Sequence, residues 1–371
     1  MFLCKIWIKI FFKVDGGLSL RIHRMQLPRE IIIGKGSLKM IGSICNDLGF
    51  NKGALIVTGE RTFNVAGQKV KEILEREGLA VNEHIIKSNM PTVDDVESSE
   101  RKIREVKPQV VLGVGGGTKI DIAKLSSARQ HIPFISVPTT ASHDGIASPF
   151  ASLKGLNKPY SIMAQSPIAV IADTDLIIRA PYRFIASGCG DVIAKFTSTR
   201  DWKLAHERRN EYYAQYTASI ALMSAQHLVE NSHLIKPGSE EGLRVLLESL
   251  VSCGISMSIA GSSRPCSGSE HLFSHALDLI SPKPALHGEQ CGIGTIMMAF
   301  LHGLDWRLIR ETLRRVGAPV TAEEINIEPK YIIEALVKAP KIRPERYTIL
   351  NEKPLTYESA RDLAKETGVI D

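Results

Sequence analysis

Three short polar segments in the second half of the sequence contain side chains that could bind a divalent metal ion. They contain Asp191, the pair His271 and His275, and His287, each in apolar surroundings. His271 and His275 are spaced by one helical turn, so on a helix they lie on the same face. One carboxylate and two imidazoles that leave a coordination position open make a reasonable catalytic site for Zn²⁺ or Fe²⁺.

Each of these residues also has a structural interpretation. Asp191 could cap the helix that follows Gly190. An isolated histidine is more often a hydrogen-bonded polar residue than a metal ligand. Because ligands this far apart in sequence form no motif, spacing alone leaves both interpretations open.

The second candidate site lies in the first half of the chain, at residues 110–124. An apolar, β-branched run, typical of a strand buried on both faces, leads into three successive glycines at 115–117. Thr118 and Asp121 then have the spacing of a capping box at the start of a helix. The N–H groups and the positive dipole end of such a helix attract an anion.

A glycine turn without a ligand is the alternative for this segment. Hydroxyl side chains at Thr139, Thr140 and Ser142 follow the next apolar run, where a neighbouring parallel strand would end. Ligands of open parallel sheets bind at the carboxyl ends of adjacent strands. We therefore favour a pyrophosphate site over a plain turn.

The elements that would position these residues divide the chain into two parts. Apolar runs that predict strands alternate with helical patterns and indicate a doubly wound, Rossmann-like parallel sheet. The predicted strands are residues 31–33, 54–58, 81–86, 110–114, 134–137 and 168–172, and the predicted helices include residues 65–77 and 93–106. Residues 141–167, rich in Ser, Gly and Pro, predict a long loop or a hairpin. From residue 184 onward helical periodicity dominates, so we predict an α/β domain over 25–180 and an all-α domain over 181–371.

The composition of the 371 residues is that of a soluble globular protein, with 44% hydrophobic and 23% charged residues. The formal charge of +6 is scattered, and the absence of a dense basic stripe with aromatics argues against nucleic-acid binding. The six cysteines show no paired spacing and indicate reduced thiols in the cytoplasm. The apolar residues 6–12 are too few to span a bilayer, so we predict no transmembrane segment. Residues 1–24 precede a natural-looking start at Met25, and we interpret them as an extension outside the fold.

Four segments occur in the order seen in iron-containing alcohol dehydrogenases, glycerol dehydrogenases and dehydroquinate synthases, and the sequence resembles that superfamily. They are residues 115–121, 138–145 and 188–191 and the pair His271 and His287. Residues 142–149 (Ser-His-Asp-Gly-Ile-Ala-Ser-Pro) are the most specific mark of an archaeal branch that acts on glycerol 1-phosphate. The resemblance begins near residue 28 and extends at least to residue 296.

The resemblance implies a dehydroquinate synthase-like fold and a reversible reduction of dihydroxyacetone phosphate to sn-glycerol 1-phosphate with NADH or NADPH. It implies that Asp191, His271 and His287 hold one Zn²⁺ per subunit. Asp144, Asp191 and His275 would bind the substrate, with Asp144 and His275 catalytic. The implied dinucleotide-binding residues are Gly117, Thr118, Lys119, Ile120, Asp121, Thr139, Thr140, Ala141, Ser142 and Ser148. The product would serve archaeal phospholipid synthesis.

Several alternatives stay open. A glycerol dehydrogenase would use the same metal with an unphosphorylated polyol, and a dehydroquinate synthase would show no net oxidation of NAD. A non-catalytic nucleotide-binding protein with structural zinc is disfavoured, because such sites usually have four ligands, mostly Cys. Lys195, one turn after Asp191, is a candidate for the substrate phosphate, and a supporting lysine fits the same position. We expect a homo-oligomer, whereas the choice between NADH and NADPH is not decided.

Overall fold

A computed structural model describes residues 23–88, 90–153 and 160–371. Six parallel strands form one sheet in the order β1-β8-β5-β4-β2-β3, and β6 pairs with β7 in a separate antiparallel hairpin. The strands are β1 (Glu30–Gly34), β2 (Gly53–Thr58), β3 (Ala80–Ile85), β4 (Val110–Gly115), β5 (Phe134–Pro138), β6 (Phe150–Leu153), β7 (Tyr160–Met163) and β8 (Ala169–Asp173). The predicted extension at residues 1–24 lies outside the described residues, except for its last two.

Both faces of the central sheet are buried, as the continuous apolar runs predict. In β4, Val111 packs into one hydrophobic core. Leu112 and Val114 pack into a second core on the other face. Successive side chains of the strand therefore pack into two different cores, one on each face of the sheet. The prediction of a doubly wound parallel sheet is confirmed.

After β8 the described residues form helices and no further strand, which confirms the predicted fold class of an α/β part followed by helices. The helices of the first part are α1 (Ile41–Asp47), α2 (Glu60–Thr62), α3 (Gln68–Arg76), α4 (Val93–Val106) and α5 (Gly117–Arg129). Those that follow are α6 (Thr174–Ile177), α7 (Tyr182–Ile193), α8 (Lys195–Arg209), α9 (Gln215–Glu230), α10 (Glu240–Ala260), α11 (Ser269–Ile280), α12 (His287–His302), α13 (Trp306–Arg315), α14 (Pro329–Ile342), α15 (Ile349–Glu352) and α16 (Tyr357–Glu366).

One local prediction differs from the structure, and a second agrees with it. The helix predicted over residues 65–77 is interrupted, because a π-helical turn at Phe63–Gly67 precedes α3. Gly67 leaves room there for the ring of Phe63, whose Cδ2 would lie 2.8 Å from a Cβ on the glycine. The loop or hairpin predicted over residues 141–167 is in part the β6–β7 hairpin.

Among the described residues, one helix, α10, is long and apolar enough to cross a membrane by length and composition. Most of its residues are buried inside the protein, where it packs against α9 and α7. A long apolar helix of this kind is what the core of a helical domain requires.

Candidate active site

A cavity of about 740 Å³ lies where the carboxyl ends of β4 and β5 face the helical part of the chain. It is lined by Gly116 and Gly117 from the glycine turn and by His271, His275 and His287 from the helical part. The two candidate sites of the sequence therefore open into the same space. This is the position at which parallel α/β sheets bind ligands.

The glycine turn presents the beginning of α5 to this cavity. The helix starts at Gly117 with Gly116 as its N-cap, and no side chain caps its first turn. The predicted capping box is therefore wrong, since Asp121 does not reach back to the N-cap. An uncapped helix N-terminus that borders a cavity favours a bound anion.

Asp121 instead fixes the hairpin beneath the turn. Its Oδ2 accepts a hydrogen bond of 3.0 Å from the backbone N–H of Ser152, and its Oδ1 lies 3.3 Å from the ammonium of Lys124. Lys124 is fully buried and also donates to the carbonyl oxygens of Gly145 and Phe150, both at 2.7 Å. The buried ion pair thus ties α5 to the loop that follows β5.

The structure brings eight of the ten residues implied in dinucleotide binding to the cavity wall. They are Gly117, Thr118, Lys119, Asp121, Thr139, Thr140, Ser142 and Ser148. The other two, Ile120 and Ala141, have fully buried side chains in the core. Only their backbone atoms are suited to meet a ligand.

Gly117 is required by a neighbouring side chain as well as by any ligand. A Cβ at this position would lie 1.8 Å from Nε2 of His143, whose ring packs over the turn. The Nδ1 of the same ring accepts a hydrogen bond of 2.9 Å from the backbone N–H of Gly145. His143 was not singled out from the sequence, because nothing in the spacing shows that its ring returns to the glycine turn.

Asp191 is not one of the residues that line the cavity but is fully buried, in a network with Lys195 and with Asp144, which does line it. Its Oδ2 accepts a hydrogen bond of 2.7 Å from the backbone N–H of Asp144. The ammonium of Lys195 lies 2.8 Å from Oδ1 of Asp191 and 2.9 Å from Oδ2 of Asp144. Since Lys195 is fully buried between two carboxylates, the structure favours the supporting role over contact with a substrate phosphate.

The charges in this network shift the titration of its members. Burial raises the pKa of Asp144, and the neighbouring Asp191 raises it further. For Asp191 burial acts in the same direction, but Lys195 and His271 outweigh it and hold the pKa of this carboxyl well below its usual range. Asp191 therefore stays ionised, which is the form that a metal ligand needs.

The two histidines nearest Asp191 are oriented by second hydrogen bonds. Nδ1 of His271 lies 2.8 Å from a carboxylate oxygen of Glu270, which leaves Nε2 to face Oδ1 of Asp191 at 3.6 Å. Nδ1 of His287 lies 3.2 Å from the hydroxyl of Ser274. The rings of His271 and His287 have centroids 5.0 Å apart.

The distance between Asp191 and His271 fits a shared cation. Two ligand atoms bound to one tetrahedral zinc ion stand about 3.4 Å apart, given bond lengths of about 2.0–2.2 Å. The separation of 3.6 Å between Asp191 and His271 agrees with this value. Burial lowers the pKa of His287 well below its ordinary value, so this imidazole is neutral and able to bind a metal.

Cys291 is a further candidate ligand that sequence reasoning missed. Ligand atoms of His271, His287 and Cys291 all lie within 4.8 Å of one another. The Sγ atom is 3.6 Å from Nε2 of His287, one helical turn earlier on α12. This spacing was the available signal, although burial raises the pKa of the thiol and opposes the thiolate that would bind a metal.

His275 lines the cavity beside this cluster. Its ring is stacked with that of His287, with centroids 6.0 Å apart. Asp144 lines the cavity as well, so the structure brings both predicted catalytic residues to the same space as the candidate metal ligands.

Close backbone contacts hold the segments that carry these side chains. A Cβ on Gly190 would lie 2.1 Å from the carbonyl oxygen of Gly288, which joins α7 to α12. A Cβ on Gly188 would lie 2.1 Å from the carbonyl oxygen of Ala141, which joins α7 to the loop after β5. Glycine at both positions lets α7, which carries Asp191, approach α12, which carries His287, on one side and the loop that carries Asp144 on the other.

The fold is that of the iron-containing alcohol dehydrogenase class. The sequence profile of "Iron-containing alcohol dehydrogenase" matches residues 32–181. Glycerol dehydrogenase from Schizosaccharomyces pombe has the same fold, with a TM-score of 0.75 and 19% identity, over 94% of this chain and 90% of that one. Sulfoacetaldehyde reductase from Bifidobacterium kashiwanohense, solved with NAD⁺, aligns with a TM-score of 0.69 and 19% identity over 95% and 100% of the two chains.

Curated relatives of much higher identity are named glycerol-1-phosphate dehydrogenase (NAD(P)⁺). The protein from Methanosarcina barkeri is 53% identical over 94% of this chain and 97% of its own length. That from Pyrococcus furiosus is 52% identical over 94% of this chain and 100% of its own length. The chain belongs to the glycerol-1-phosphate dehydrogenase family.

Proposed function

We propose that the protein catalyses the reversible, NAD(P)H-dependent reduction of dihydroxyacetone phosphate to sn-glycerol 1-phosphate. The observation that carries this proposal is the shared cavity, which His271 and His287 line together with the uncapped N-terminus of α5, while the buried Asp191 lies 3.6 Å from His271. The names of the relatives at over 50% identity supply the substrate.

The dinucleotide binds along the part of the cavity formed by residues 25–180. The N-terminus of α5 receives the pyrophosphate, and the hydroxyls of Thr139, Thr140 and Ser142 line the neighbouring strand end. Residues 181–371 form the domain that holds metal and substrate. The dinucleotide supplies the hydride when bound.

Asp191, His271 and His287 would hold the metal ion, for which we propose Zn²⁺, one per subunit. Two neutral imidazoles and one carboxylate are a ligand set that zinc accepts in catalytic sites. When bound, the cation supplies Lewis-acid polarisation of the substrate carbonyl. Glu270 and Ser274 orient the two imidazoles and fix which nitrogen faces the ion.

His275 and Asp144 handle the substrate hydroxyl and the proton. Reduction of a ketone places negative charge on its oxygen, which must then acquire a proton. His275, on the same face of α11 as His271, delivers that proton directly or through a hydroxyl. Asp144, whose pKa is raised by burial, orients the hydroxyl by accepting from it or donating to it.

The decisive experiment is a stereospecific assay. Purified protein is given dihydroxyacetone phosphate with NADH or NADPH, and the product is offered to an enzyme specific for sn-glycerol 3-phosphate. We expect reduction with at least one cofactor and a product that this enzyme does not oxidise. An sn-3 product, or a faster rate with glycerol and NAD⁺ than with glycerol 1-phosphate, would overturn the proposal.

The proposal also covers the cellular location of the enzyme, the use of its product and its oligomeric state. Five described cysteines are buried free thiols, which agrees with a reducing cytoplasm. We propose that the product enters phospholipid synthesis, and that the enzyme acts as a homo-oligomer. Size-exclusion chromatography with light scattering tests the second point, and a monomer at working concentration would contradict it.

A further inference from the structure

Three arginines gather behind one end of the cavity. This end is lined by Ser161, Ser263 and Ser267, and the arginines are Arg264, Arg343 and Arg346. Arg343 and Arg346 belong to the segment that follows α14, and their guanidinium groups contact the cavity-lining residues directly. None of the three belongs to the proposed metal or dinucleotide site.

Arg346 is buried and is held against both serines. Its Nη2 donates a hydrogen bond of 2.7 Å to the hydroxyl of Ser263, and its Nη1 donates to the carbonyl oxygen of Ser267. In the part of the chain that the structure describes, no carboxylate lies within 4.0 Å of this guanidinium. Burial, together with the charges of Arg343 and Arg264, lowers the pKa of Arg346 to about 9.

The surrounding acids do not balance this cluster. Glu211 pairs with Arg264 through both carboxylate oxygens and neutralises it. Glu345 lies 3.6 Å from Nε of Arg343, but its side chain is 72% exposed, so water screens the pair. Glu270 is the other acid that acts on Arg346, but its oxygens accept hydrogen bonds from the backbone N–H of Gly268 and the hydroxyl of Thr197 rather than from an arginine. The cluster therefore keeps positive charge in a poorly solvated place, which an entering anion would compensate.

The serine hydroxyls beside the arginines can donate hydrogen bonds to an anionic ligand. A hydroxyl that accepts a hydrogen bond from a guanidinium keeps its own proton to donate, as the hydroxyl of Ser263 can. The hydroxyl of Ser267 has no hydrogen-bond partner among the described residues, and Ser267 lines the cavity. Nη2 of Arg343 reaches the same region, at 3.4 Å from the carbonyl oxygen of Ser161.

Other cations near the cavity are less suited to a phosphate monoester. Lys195 is buried between two carboxylates. The ammonium of Lys119 donates to the carbonyl oxygen of Ser88 beside the glycine turn, on the dinucleotide side. Arg61 and Arg179 are at the cavity wall but lie among solvent-accessible residues. Arg179 is the strongest competitor, because it borders the helical wall.

We infer that Ser263, Ser267, Arg343 and Arg346 form the subsite that binds the phosphate of the substrate. The inference rests on the proposed function and identifies how this cavity would select a phosphorylated three-carbon ketone over its unphosphorylated form. Ser267 lies two residues before α11, and His271 is in the first turn of that helix. The subsite is thus close enough to the proposed metal ligands for one short substrate to reach both.

The test compares kcat/KM for dihydroxyacetone phosphate with kcat/KM for dihydroxyacetone. The ratio of the two isolates recognition of the phosphate from the chemistry, which both ketones share. The variants are Arg343→Gln and Arg346→Lys, with Arg179→Gln as the rival and the exposed Arg361→Gln on α16 as the matched control. Loss of a charged hydrogen bond to phosphate lowers the ratio roughly 10- to 100-fold.

A fall of tenfold or more in Arg343→Gln or Arg346→Lys, with Arg361→Gln unchanged, supports the subsite. A smaller fall in both, or a fall confined to Arg179→Gln, overturns it. If thermal denaturation shows that Arg346→Lys is not folded, Arg343→Gln decides alone, because the side chain of Arg343 is partly exposed. Competitive inhibition by inorganic phosphate should weaken in the same variants.

The proposed function fails independently of these variants. If the unaltered enzyme reduces dihydroxyacetone phosphate no better than dihydroxyacetone, the substrate assignment is wrong. If it strongly prefers the phosphorylated ketone while both arginine variants keep that preference, the substrate assignment stands and only the subsite is wrong.

Discussion

The backbone N–H of Asp144 donates a hydrogen bond of 2.7 Å to Oδ2 of Asp191. The contact joins the loop after β5 to α7, across 47 positions in the sequence. The other oxygen of Asp191 lies 2.8 Å from Lys195 and 3.6 Å from His271. One carboxylate therefore fixes the distance between the proposed metal ligands and a proposed catalytic residue.

Lys195→Met should destabilise the protein strongly. The substitution leaves two buried carboxylates without their shared cation, and breaking a buried ion pair from one side costs about 3–5 kcal/mol. Urea denaturation of the metal-free protein measures the change in the free energy of unfolding. Lys203→Met on the same helix is the control, because its partly exposed pair with Glu207 should contribute less than about 1 kcal/mol. Equal stabilities of the two variants would show that Lys195 is not needed to compensate the acids.

Much of the fold could be predicted from the sequence because its signals are local. The predicted helix at residues 93–106 coincides with α4, whose Thr92 cap and amphipathic pattern lie within the segment itself. The buried strands were visible as apolar runs bounded by turns. The interruption of the helix at Phe63–Gly67 was not, since an amphipathic pattern does not distinguish a π-helical turn from an α-helix.

The site was predictable only where residue type alone indicates chemistry. Histidines and a carboxylate in apolar surroundings indicate a metal, and three glycines after a strand indicate a phosphate. The contact of Asp121 with Ser152 and that of Arg346 with Ser263 join segments distant in sequence, so no spacing shows them. The sequence also indicates Lys195 as a candidate, but the role of this lysine depends on its burial, which the sequence does not report.

His271→Ala and His287→Ala should each lose the metal and the activity together. Each removes one of three proposed ligands, and the remaining pair holds zinc too weakly to survive dialysis. Metal content by mass spectrometry and activity on the same samples measure the outcome, with circular dichroism to establish folding. A chelator should likewise inactivate the unaltered enzyme, and added Zn²⁺ should restore it.

Cys291→Ser separates the two possible ligand sets. If Asp191 completes the site, this variant keeps its metal, because burial raises the pKa of the Cys291 thiol and disfavours the binding form. Loss of metal in Cys291→Ser, or full metal and a normal rate in His287→Ala, would contradict the proposed ligands.

His275→Ala should keep its metal while turnover slows. A positioned proton donor typically contributes about 10²- to 10⁴-fold to the rate, so kcat should fall within that range. The ring of His275 is stacked on His287 but is not among the proposed ligands. Metal analysis and steady-state kinetics on one preparation test this separation. Loss of metal from His275→Ala would show instead that His275 is a metal ligand or holds a metal ligand in position.

Metal affinity should rise with pH. Burial alone would lower the pKa of His271, but hydrogen bonds to Asp191, Cys291 and Glu270 outweigh it and raise the pKa well above its ordinary value. In the metal-free protein His271 is therefore protonated at neutral pH, and a proton must leave before Nε2 binds a metal. Below that pKa each pH unit should weaken apparent affinity about tenfold. Zinc titrations against a competing chelator between about pH 6 and pH 8 measure this slope, and a flat profile would contradict it.

Gly190→Ala should lower both stability and metal affinity. Helix propensity alone predicts the opposite sign, since alanine is favoured over glycine within a helix by about 1 kcal/mol. Here the added Cβ would lie 2.1 Å from the carbonyl oxygen of Gly288, so α7 and α12 must separate. Overpacking of this kind typically costs about 1–3 kcal/mol.

The same separation moves Asp191 on α7 away from His287 on α12, and zinc should therefore bind more weakly in Gly190→Ala. Gly34→Ala is the matched control, because a Cβ at that position would meet nothing within 4 Å. Urea denaturation and zinc titration on both variants give the comparison. If Gly190→Ala proved more stable than the unaltered protein and kept its zinc affinity, the gain in helix propensity would outweigh the steric cost of the added Cβ. The close contact of α7 and α12 would then not control the metal site.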